Sequence, residues 1–313
     1  MCLYGYVQKD DSKKIMDFFA ELLFQPAFSK KDLEIEKEIV RQEILDSEDD
    51  PGEVNYNLFC KYFWPNSLLG LPVSGDIKNL ETFSYGDIYE RLQSLLQGDK
   101  ITIVASGAIS LEQVVEYAEK NFSHLAKGKR AEFVTPDTSL GVYAIQEKFS
   151  QVHFSLGCSA PGMLSERFDA AVVASAILGG GMSSRLFQAL REDNGLVYDV
   201  GAALDFNKDT SALIISGACE NRNLAQALEL ISGEISEFKA EELNQEEVER
   251  NIQSIKSQML IELDSVQSRM WRMLESEYVY GELITIKDQI AKYEKLTLRD
   301  LDCLLYTSPS PRD

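Results

Sequence analysis

The chain has 313 residues, of which 44% are hydrophobic, and its formal net charge at pH 7 is −20. This length favours about two domains with apolar cores, and the acidic charge argues against nucleic acid as a partner. No apolar run approaches the ~20 residues that cross a bilayer, so we expect no membrane span. The five cysteines are scattered without a C-x-x-C pair, which suits a reducing compartment such as the cytoplasm.

Apolar periodicity and capping residues predict an alternation of strands and helices along the chain. The predicted strands are residues 3–7, 100–107, 142–146, 151–157, 196–200 and 212–217. The predicted helices are residues 12–23, 29–44, 183–190, 223–234 and 244–259, with others beginning near Glu53, Ser84 and Ser110. This alternation predicts an α+β fold in which a sheet is covered by helices.

A long-range internal repeat indicates two homologous domains. Residues 29–44 match residues 244–259 at a constant offset of 215 residues, and both copies keep a capping residue, an acidic first turn and an apolar stripe. The helix that precedes each copy corresponds as well. The natural interpretation is a duplicated unit.

The domain boundaries follow from the repeat and from local composition. We assign residues 1–127 to the first domain, 128–140 to a polar linker with a proline, and 141–306 to the second domain. Residues 307–313 resemble translated adapter sequence, so we expect a non-native tail there; a disordered natural tail is the alternative.

Glu36 and Glu43 are the most informative difference between the two copies, because the second copy has Asn251 and Gln258 at these positions. A spacing of seven residues is two helical turns, about 10 Å of rise, so both carboxylates lie on one face. A solvated acidic face is the plain alternative. The loss of both acids from a matching copy favours a function, and a carboxylate beside histidines is a common zinc ligand set.

The segment LGGGMSSRLFQALREDNGLVY, residues 178–198, is the most specific motif of the chain. The glycines at 179–181 allow backbone conformations closed to other residues, and Ser183 or Ser184 can then cap a helix. Gly195 is expected to end that helix. The run lacks the G-x-x-x-x-G-K-[ST] and G-x-G-x-x-G patterns, so a phosphate loop is disfavoured.

Arg191 and Tyr198 are the candidate peptide-binding residues of this motif. The predicted elements place Arg191 near the helix end and Tyr198 on the following strand. A guanidinium and a phenol can both donate to peptide carbonyls, and the phenol can also stabilise a developing oxyanion. The structural alternative is an arginine that caps helix carbonyls beside a half-buried tyrosine.

Several motifs together resemble the pitrilysin, insulinase and mitochondrial processing peptidase family of zinc peptidases. They are IEKEIVRQEI followed by SEDDPGE, then LGLPVSG, ITIVASGAIS and the glycine-rich motif. The resemblance implies that Glu43 is a zinc ligand, that Glu36 supports the metal-binding groups, and that Arg191 and Tyr198 bind substrate opposite the zinc. One departure is Ser67-Leu68, where the family commonly has histidine-proline.

The histidine pair that this family uses is absent. His124 and His153 do not form H-x-x-E-H, and their patterns indicate structural positions. In the family the paired histidines precede the glutamate by roughly 70–80 residues. We therefore expect them ahead of Met1, and an incomplete first domain, which the unequal lengths of the two repeat halves also indicate.

The resemblance implies a zinc-dependent endopeptidase that hydrolyses peptides or unfolded segments in an enclosed chamber. We expect Zn²⁺ as cofactor, no activity from this chain alone, and a homodimer or a heterodimer with a related subunit. The alternative is a non-catalytic partner subunit of the same family, which binds peptide without zinc.

Overall fold

The computed structural model describes residues 1–129, 134–240 and 243–307, so parts of the expected linker and tail lie outside the described residues. The strands are β1 Val152–Pro161, β2 Val197–Phe206 and β3 Thr210–Cys219. The helices are α1 Ser12–Phe24, α2 Lys30–Asp49, α3 Pro51–Phe63, α4 Ile77–Thr82, α5 Tyr85–Leu95, α6 Leu111–Phe122, α7 Phe168–Gly179, α8 Arg185–Phe187, α9 Leu224–Ala240, α10 Gln245–Glu262, α11 Val266–Tyr280, α12 Ile286–Lys295 and α13 Leu298–Thr307. Within the described ranges, no helix is long and apolar enough to cross a membrane.

Contacts divide the chain into two compact units. The first unit comprises Met1–Ser47, Val73–Phe133 and Asp264–Glu275, and the second comprises Glu48–Pro72, Val134–Leu263 and Ser276–Asp313. Helix α3 belongs to the second unit because it packs against β1. The domain boundaries expected from the repeat remain a prediction.

Helices α2 and α6 of the first unit begin at side-chain caps that the sequence predicts. At the start of α2, the Ser29 backbone N–H donates to Asp32 Oδ2 at 2.7 Å, and the Asp32 N–H donates to Ser29 Oγ at 3.2 Å. The capping box of Ser110 and Gln113 at the start of α6 is confirmed. These boxes satisfy backbone donors that a helix leaves unpaired at its first turn, so each start is fixed locally.

Polar contacts with α4 fix the orientation of α2. Arg41 Nη2 lies 3.2 Å from Glu81 Oε1, and Lys37 Nζ donates to the backbone oxygen of Glu81 at 3.4 Å. Ile44, one helical turn further on, is buried. Because these three positions share one side of α2, the opposite side is left exposed.

The sheet of the second unit is antiparallel, with strand order β1–β3–β2. Residues on successive positions of the central strand face opposite sides, as the pleat requires. Ile215 belongs to the main core with α7, whereas Ile214 belongs to a smaller cluster with Phe63 and Trp64 of α3. The sheet is thus covered by helices on both faces.

Helix α7 ends in close contact with β2. A Cβ added at Gly179 would lie 2.1 Å from the backbone nitrogen of Ala202, so a larger residue does not fit there. On the other face, Asn55 Nδ2 of α3 donates to Ser155 Oγ of β1 at 2.6 Å. Both contacts lie near the middle of the strands, where Ala202 pairs with Ile215 and Ser155 pairs with Ser216.

Three of the predicted strands are confirmed, and three are wrong. Residues 151–157, 196–200 and 212–217 lie in β1, β2 and β3, whereas residues 3–7, 100–107 and 142–146 form no strand. These three segments are β-prone in composition. They find no ladder partner among the described residues, and a strand depends on that non-local pairing.

The predicted helices are confirmed with adjusted ends, and the largest change is near the glycine-rich motif. The helix expected over residues 183–190 is shortened to α8, which continues as a π-helical turn, Gln188–Glu192. Helix α9 runs to Ala240, beyond its predicted end.

Candidate functional site

Arg191 lies in the π-helical turn Gln188–Glu192 that follows α8. The Asp193 N–H donates to the oxygen of Gln188 at 2.9 Å, a span of five residues where an α-helix spans four. Gly195 then ends the helix in the left-handed region at φ 60°, as predicted, and its N–H donates to the Arg191 oxygen at 3.0 Å. Single π turns occur frequently at functional sites, because the extra residue re-aims the side chains.

Tyr198 is the extra residue of a β-bulge in β2. Val197 pairs with Cys219 and Asp199 pairs with Ala218, which leaves Tyr198 without an opposite residue on β3. Its side chain is 77% exposed, whereas that of Val197 is buried. Bulges of this kind re-aim a side chain beside active sites, and here the bulge turns a tyrosine ring out of the sheet.

The two irregularities bring Arg191 and Tyr198 together. The Arg191 Cζ atom lies 5.0 Å from the centroid of the Tyr198 ring and 4.8 Å from that of Phe187. Both distances are within the ~6 Å range of a cation–π contact. Among the described residues, the guanidinium has no ion-pair partner and the phenol hydroxyl has no hydrogen bond, so these donors are available to a ligand.

A neighbouring arginine of the same motif is engaged in a different way. Arg185 donates to both carboxylate oxygens of Glu247, from Nε at 3.2 Å and from Nη2 at 2.8 Å. Both side chains are largely buried, and Arg185 also lies over the Phe238 ring at 5.2 Å. This bidentate pair links α8 to α10, so Arg185 serves the fold.

A tyrosine of α3 that contacts the same sheet provides a similar contrast. The Tyr56 hydroxyl of α3 donates to Asp205 Oδ2 at 2.5 Å. Burial, together with this hydrogen bond, raises the pKa of Tyr56 above its ordinary value. Tyr56 is therefore committed to packing α3 on the sheet, unlike Tyr198.

Gly179 and Gly180 serve close packing, and the run does not use the positive-φ conformations that glycine allows. None of the glycines at 179–181 has a positive φ. A Cβ at Gly180 would lie 2.7 Å from the Cα of Ala176, which adds to the close approach of Gly179 to β2. Ser184 occupies the N-cap position of α8, but its hydroxyl donates to the oxygen of Gly181 at 2.6 Å and caps no helical N–H.

Glu36 and Glu43 lie on the exposed side of α2. Neither carboxylate has an ion-pair partner within the part of the chain that the structure describes. The neighbouring Glu34 and Glu38 do pair with basic residues of the same helix. The two carboxylates are thus free to meet a cation from outside the helix.

The corresponding amides in α10 bond within their own helix. Asn251 Nδ2 donates to the oxygen of Glu247 at 2.9 Å, and Gln258 Nε2 donates to Glu262 Oε1 at 3.1 Å. The second copy therefore uses these positions for local hydrogen bonds. The two copies thus differ in hydrogen bonding at these positions, and the functional difference remains a prediction.

The described residues do not complete a zinc site. In residues 1–129, 134–240 and 243–307, no three His, Cys, Asp or Glu side chains are grouped so that they could hold a metal ion. The His124 ring packs against Phe24 with centroids 4.9 Å apart, and His153 pairs with Ala218 in the sheet. Glu43 on its own is one carboxylate ligand, fewer than zinc requires.

Two adjoining family models match most of the chain. Residues 82–255 match the model described as the peptidase M16 inactive domain, and residues 1–76 match the insulinase domain of peptidase family M16. The chain therefore belongs to peptidase family M16. The resemblance to the pitrilysin, insulinase and processing peptidase family is confirmed.

The curated relatives of the chain carry zinc-protease names. The chain is 28% identical to an uncharacterized zinc protease of Bacillus subtilis, YmxG, over 97% of this chain and 74% of that protein. It is 26% identical to an uncharacterized zinc protease of Mycobacterium tuberculosis, Rv2782c, over 97% of this chain and 70% of that protein.

Solved structures confirm the α+β fold class. A protease from Helicobacter pylori superposes with a TM-score of 0.84 at 17% identity, covering 96% of this chain and 74% of that one. A peptidase M16 inactive domain from Pseudomonas fluorescens superposes with a TM-score of 0.83 at 17% identity, covering 97% and 73%.

Phe187 is a neighbour of the candidate site that the sequence did not predict. Its ring lies under the Arg191 guanidinium, yet its apolar character and position within α8 indicate an ordinary core residue. The available signal was the spacing of four residues between Phe187 and Arg191, at which side chains on a helix meet.

Proposed function

We propose that the chain is part of a zinc-dependent endopeptidase that acts on peptides or unfolded segments in an enclosed chamber formed with a second subunit. Membership of peptidase family M16 and the zinc-protease names of the relatives support the class of activity. The proposal assigns peptide binding to Arg191 and Tyr198 in the second unit, and metal binding to Glu43 in the first.

The arrangement of Arg191 and Tyr198 is the observation that carries the proposal. A π turn and a bulge disturb regular structure at these two positions and place side by side N–H and O–H donors that no described residue engages. Peptide carbonyls are acceptors that need such donors. A purely structural pair would instead resemble Arg185 and Tyr56, whose polar atoms are already engaged.

The proposed metal role rests on the exposed carboxylates of α2. Glu43 would supply one oxygen ligand to zinc, and Glu36, two turns earlier on the same face, would orient the metal-binding groups. The further ligands are proposed to be two histidines of an H-x-x-E-H motif, which this sequence does not contain.

Peptide binding tests the assignment of Arg191 and Tyr198 without requiring turnover. A fluorescein-labelled, unstructured 12-residue peptide of alanine and lysine is titrated with the wild-type chain and with an Arg191→Ala/Tyr198→Phe double variant. We expect binding that the double variant loses. Equal binding by both proteins would show that the pair is not the anchor, and no binding by the wild type would count against the proposed function.

Zinc analysis tests the assignment of Glu43. After incubation with zinc and dialysis, we expect the chain to retain less than one equivalent and to cleave no fluorogenic peptide. Stoichiometric zinc with turnover would place the site elsewhere. Coding sequence upstream of Met1 provides an independent check, since a helix there without paired histidines would favour a non-catalytic partner subunit.

A further inference from the structure

We propose that Phe187 is a positioning residue for peptide binding, a role that rests on the proposed function of Arg191. The Phe187 ring, together with Tyr198, holds the guanidinium in the orientation from which it donates to a peptide. The Arg191 Cζ atom lies over both rings, at 4.8 Å from the centroid of Phe187 and 5.0 Å from that of Tyr198.

The two rings differ in how firmly they are held. The Phe187 side chain is only 6% exposed and belongs to the last residue of α8, so the surrounding core fixes its position. The Tyr198 side chain is 77% exposed on the bulge, and surrounding atoms restrain it little. Phe187 is therefore the fixed member of the pair of rings over which the guanidinium lies.

The two aromatic rings are the groups that orient the Arg191 guanidinium, because no described carboxylate pairs with it. Among the described residues no carboxylate lies within ion-pair distance of its guanidinium, in contrast to Arg185, which Glu247 holds at two points. An arginine side chain has several rotatable bonds, and ordering it on binding lowers affinity. An aromatic face orders the guanidinium without occupying its N–H donors, because the attraction is to the ring quadrupole.

The arrangement also explains why a carboxylate partner would be unsuitable here. A bidentate acid such as Glu247 occupies the donors that a peptide carbonyl needs, and it neutralises the charge. A ring under the guanidinium leaves its edge open. Phe187 thus gives the guanidinium a fixed orientation and leaves its N–H donors accessible to a peptide.

The first test measures orientation directly and does not depend on activity. In the full chain labelled with ¹³C,¹⁵N-arginine, ring currents should shift the Arg191 side-chain signals, which the Arg191→Ala variant identifies. We expect Phe187→Leu to remove most of this shift and Phe187→Tyr to retain it. An unchanged shift in Phe187→Leu would overturn the inference.

The second test measures binding of the fluorescein-labelled alanine–lysine peptide. Loss of an exposed cation–π contact of about 0.5–1 kcal/mol corresponds to about two- to fivefold weaker binding in Phe187→Leu. Phe187→Tyr should restore wild-type affinity. The matched control is Phe154→Leu, the same change at a buried phenylalanine of β1, which should leave affinity unchanged.

The two measurements separate the possible failures. Weakened binding in both leucine variants, without rescue by Phe187→Tyr, would show a merely structural role for Phe187 and overturn the inference. A shift that depends on Phe187 in a chain that binds no peptide would overturn the proposed function of Arg191, and the binding role of Phe187 with it.

Discussion

The Cζ atom of Arg191 lies 5.0 Å from the centroid of the Tyr198 ring, although each residue occupies an irregularity of its own element. Arg191 belongs to a π-helical turn and Tyr198 to a β-bulge. Each irregularity inserts one residue and changes the direction of the side chains nearby. Their combined effect is to place a cation beside a phenol, and neither group has a hydrogen-bond partner within the part of the chain that the structure describes.

Tyr198→Phe isolates the contribution of the phenol hydroxyl, because it keeps the ring on which Arg191 lies. In the proposed peptidase assembly, loss of a donor to a developing oxyanion should lower kcat by about 10²–10³-fold. Steady-state kinetics measures this change. Tyr278→Phe, at another exposed tyrosine, is the control. A kcat close to that of the wild type would exclude the hydroxyl from the reaction.

Arg185→Ala and Arg191→Ala should differ in their effect on stability. Removing Arg185 leaves the largely buried Glu247 without its bidentate partner. This loss should lower the free energy of unfolding by about 1.5–3 kcal/mol. Removing Arg191 loses cation–π contacts worth about 0.5–1 kcal/mol. Urea unfolding of the two variants measures the difference. Equal destabilisation would indicate that Arg191 also supports the fold.

Gly179→Ala should destabilise the second unit. The new Cβ would lie 2.1 Å from the Ala202 backbone nitrogen, so α7 or β2 has to shift, at a cost of about 1–3 kcal/mol. The matched control is Gly181→Ala, where no atom lies within 4 Å of an added Cβ and the effect should stay within about 0.5 kcal/mol. The unfolding midpoints of the two variants test the expectation, and equal midpoints would contradict it.

Asp169 should make stability fall as the pH rises. Burial raises the pKa of its carboxyl above the ordinary value, although Lys292 and hydrogen bonds from Gln289 and Tyr293 oppose this effect. The native state therefore binds a proton more tightly than the unfolded chain does. Stability is lost as the pH passes from the unfolded pKa of about 3.9 through the raised native pKa.

The Asp169→Asn variant removes this titration and keeps an oxygen that can accept from Gln289. Its free energy of unfolding should depend less on pH from about pH 4 upward than that of the wild type. Denaturant titrations at several pH values provide the measurement. If both proteins show the same slope, the buried carboxyl does not titrate as expected.

Local signals in the sequence predicted the helices and the repeat. The Ser29–Asp32 and Ser110–Gln113 pairs cap helices through contacts between residues three positions apart. A short stretch of sequence is therefore enough to predict where these helices begin. The repeat also located Glu36 and Glu43 on one face of α2. These features depend little on the rest of the chain.

Non-local features were predicted less well. Residues 3–7, 100–107 and 142–146 have the composition of strands, but pairing decides whether a strand forms. The π turn at Arg191 and the bulge at Tyr198 arise from the fit of α8 and β2 to their neighbours. The sequence motif therefore identified both residues, whereas their contact through Phe187 required the three-dimensional structure.

The ladder between β2 and β3 continues from Val197 to Asp199 without using the residue between them. A chain shortened by Tyr198 alone would restore an uninterrupted register, with Val197 still opposite Cys219 and Asp199 opposite Ala218. The pairing of β2 with β3 therefore does not depend on the residue that carries the phenol. Tyr198 is dispensable for the strand pairing itself, so its side chain can serve the proposed binding of peptide without interrupting the ladder.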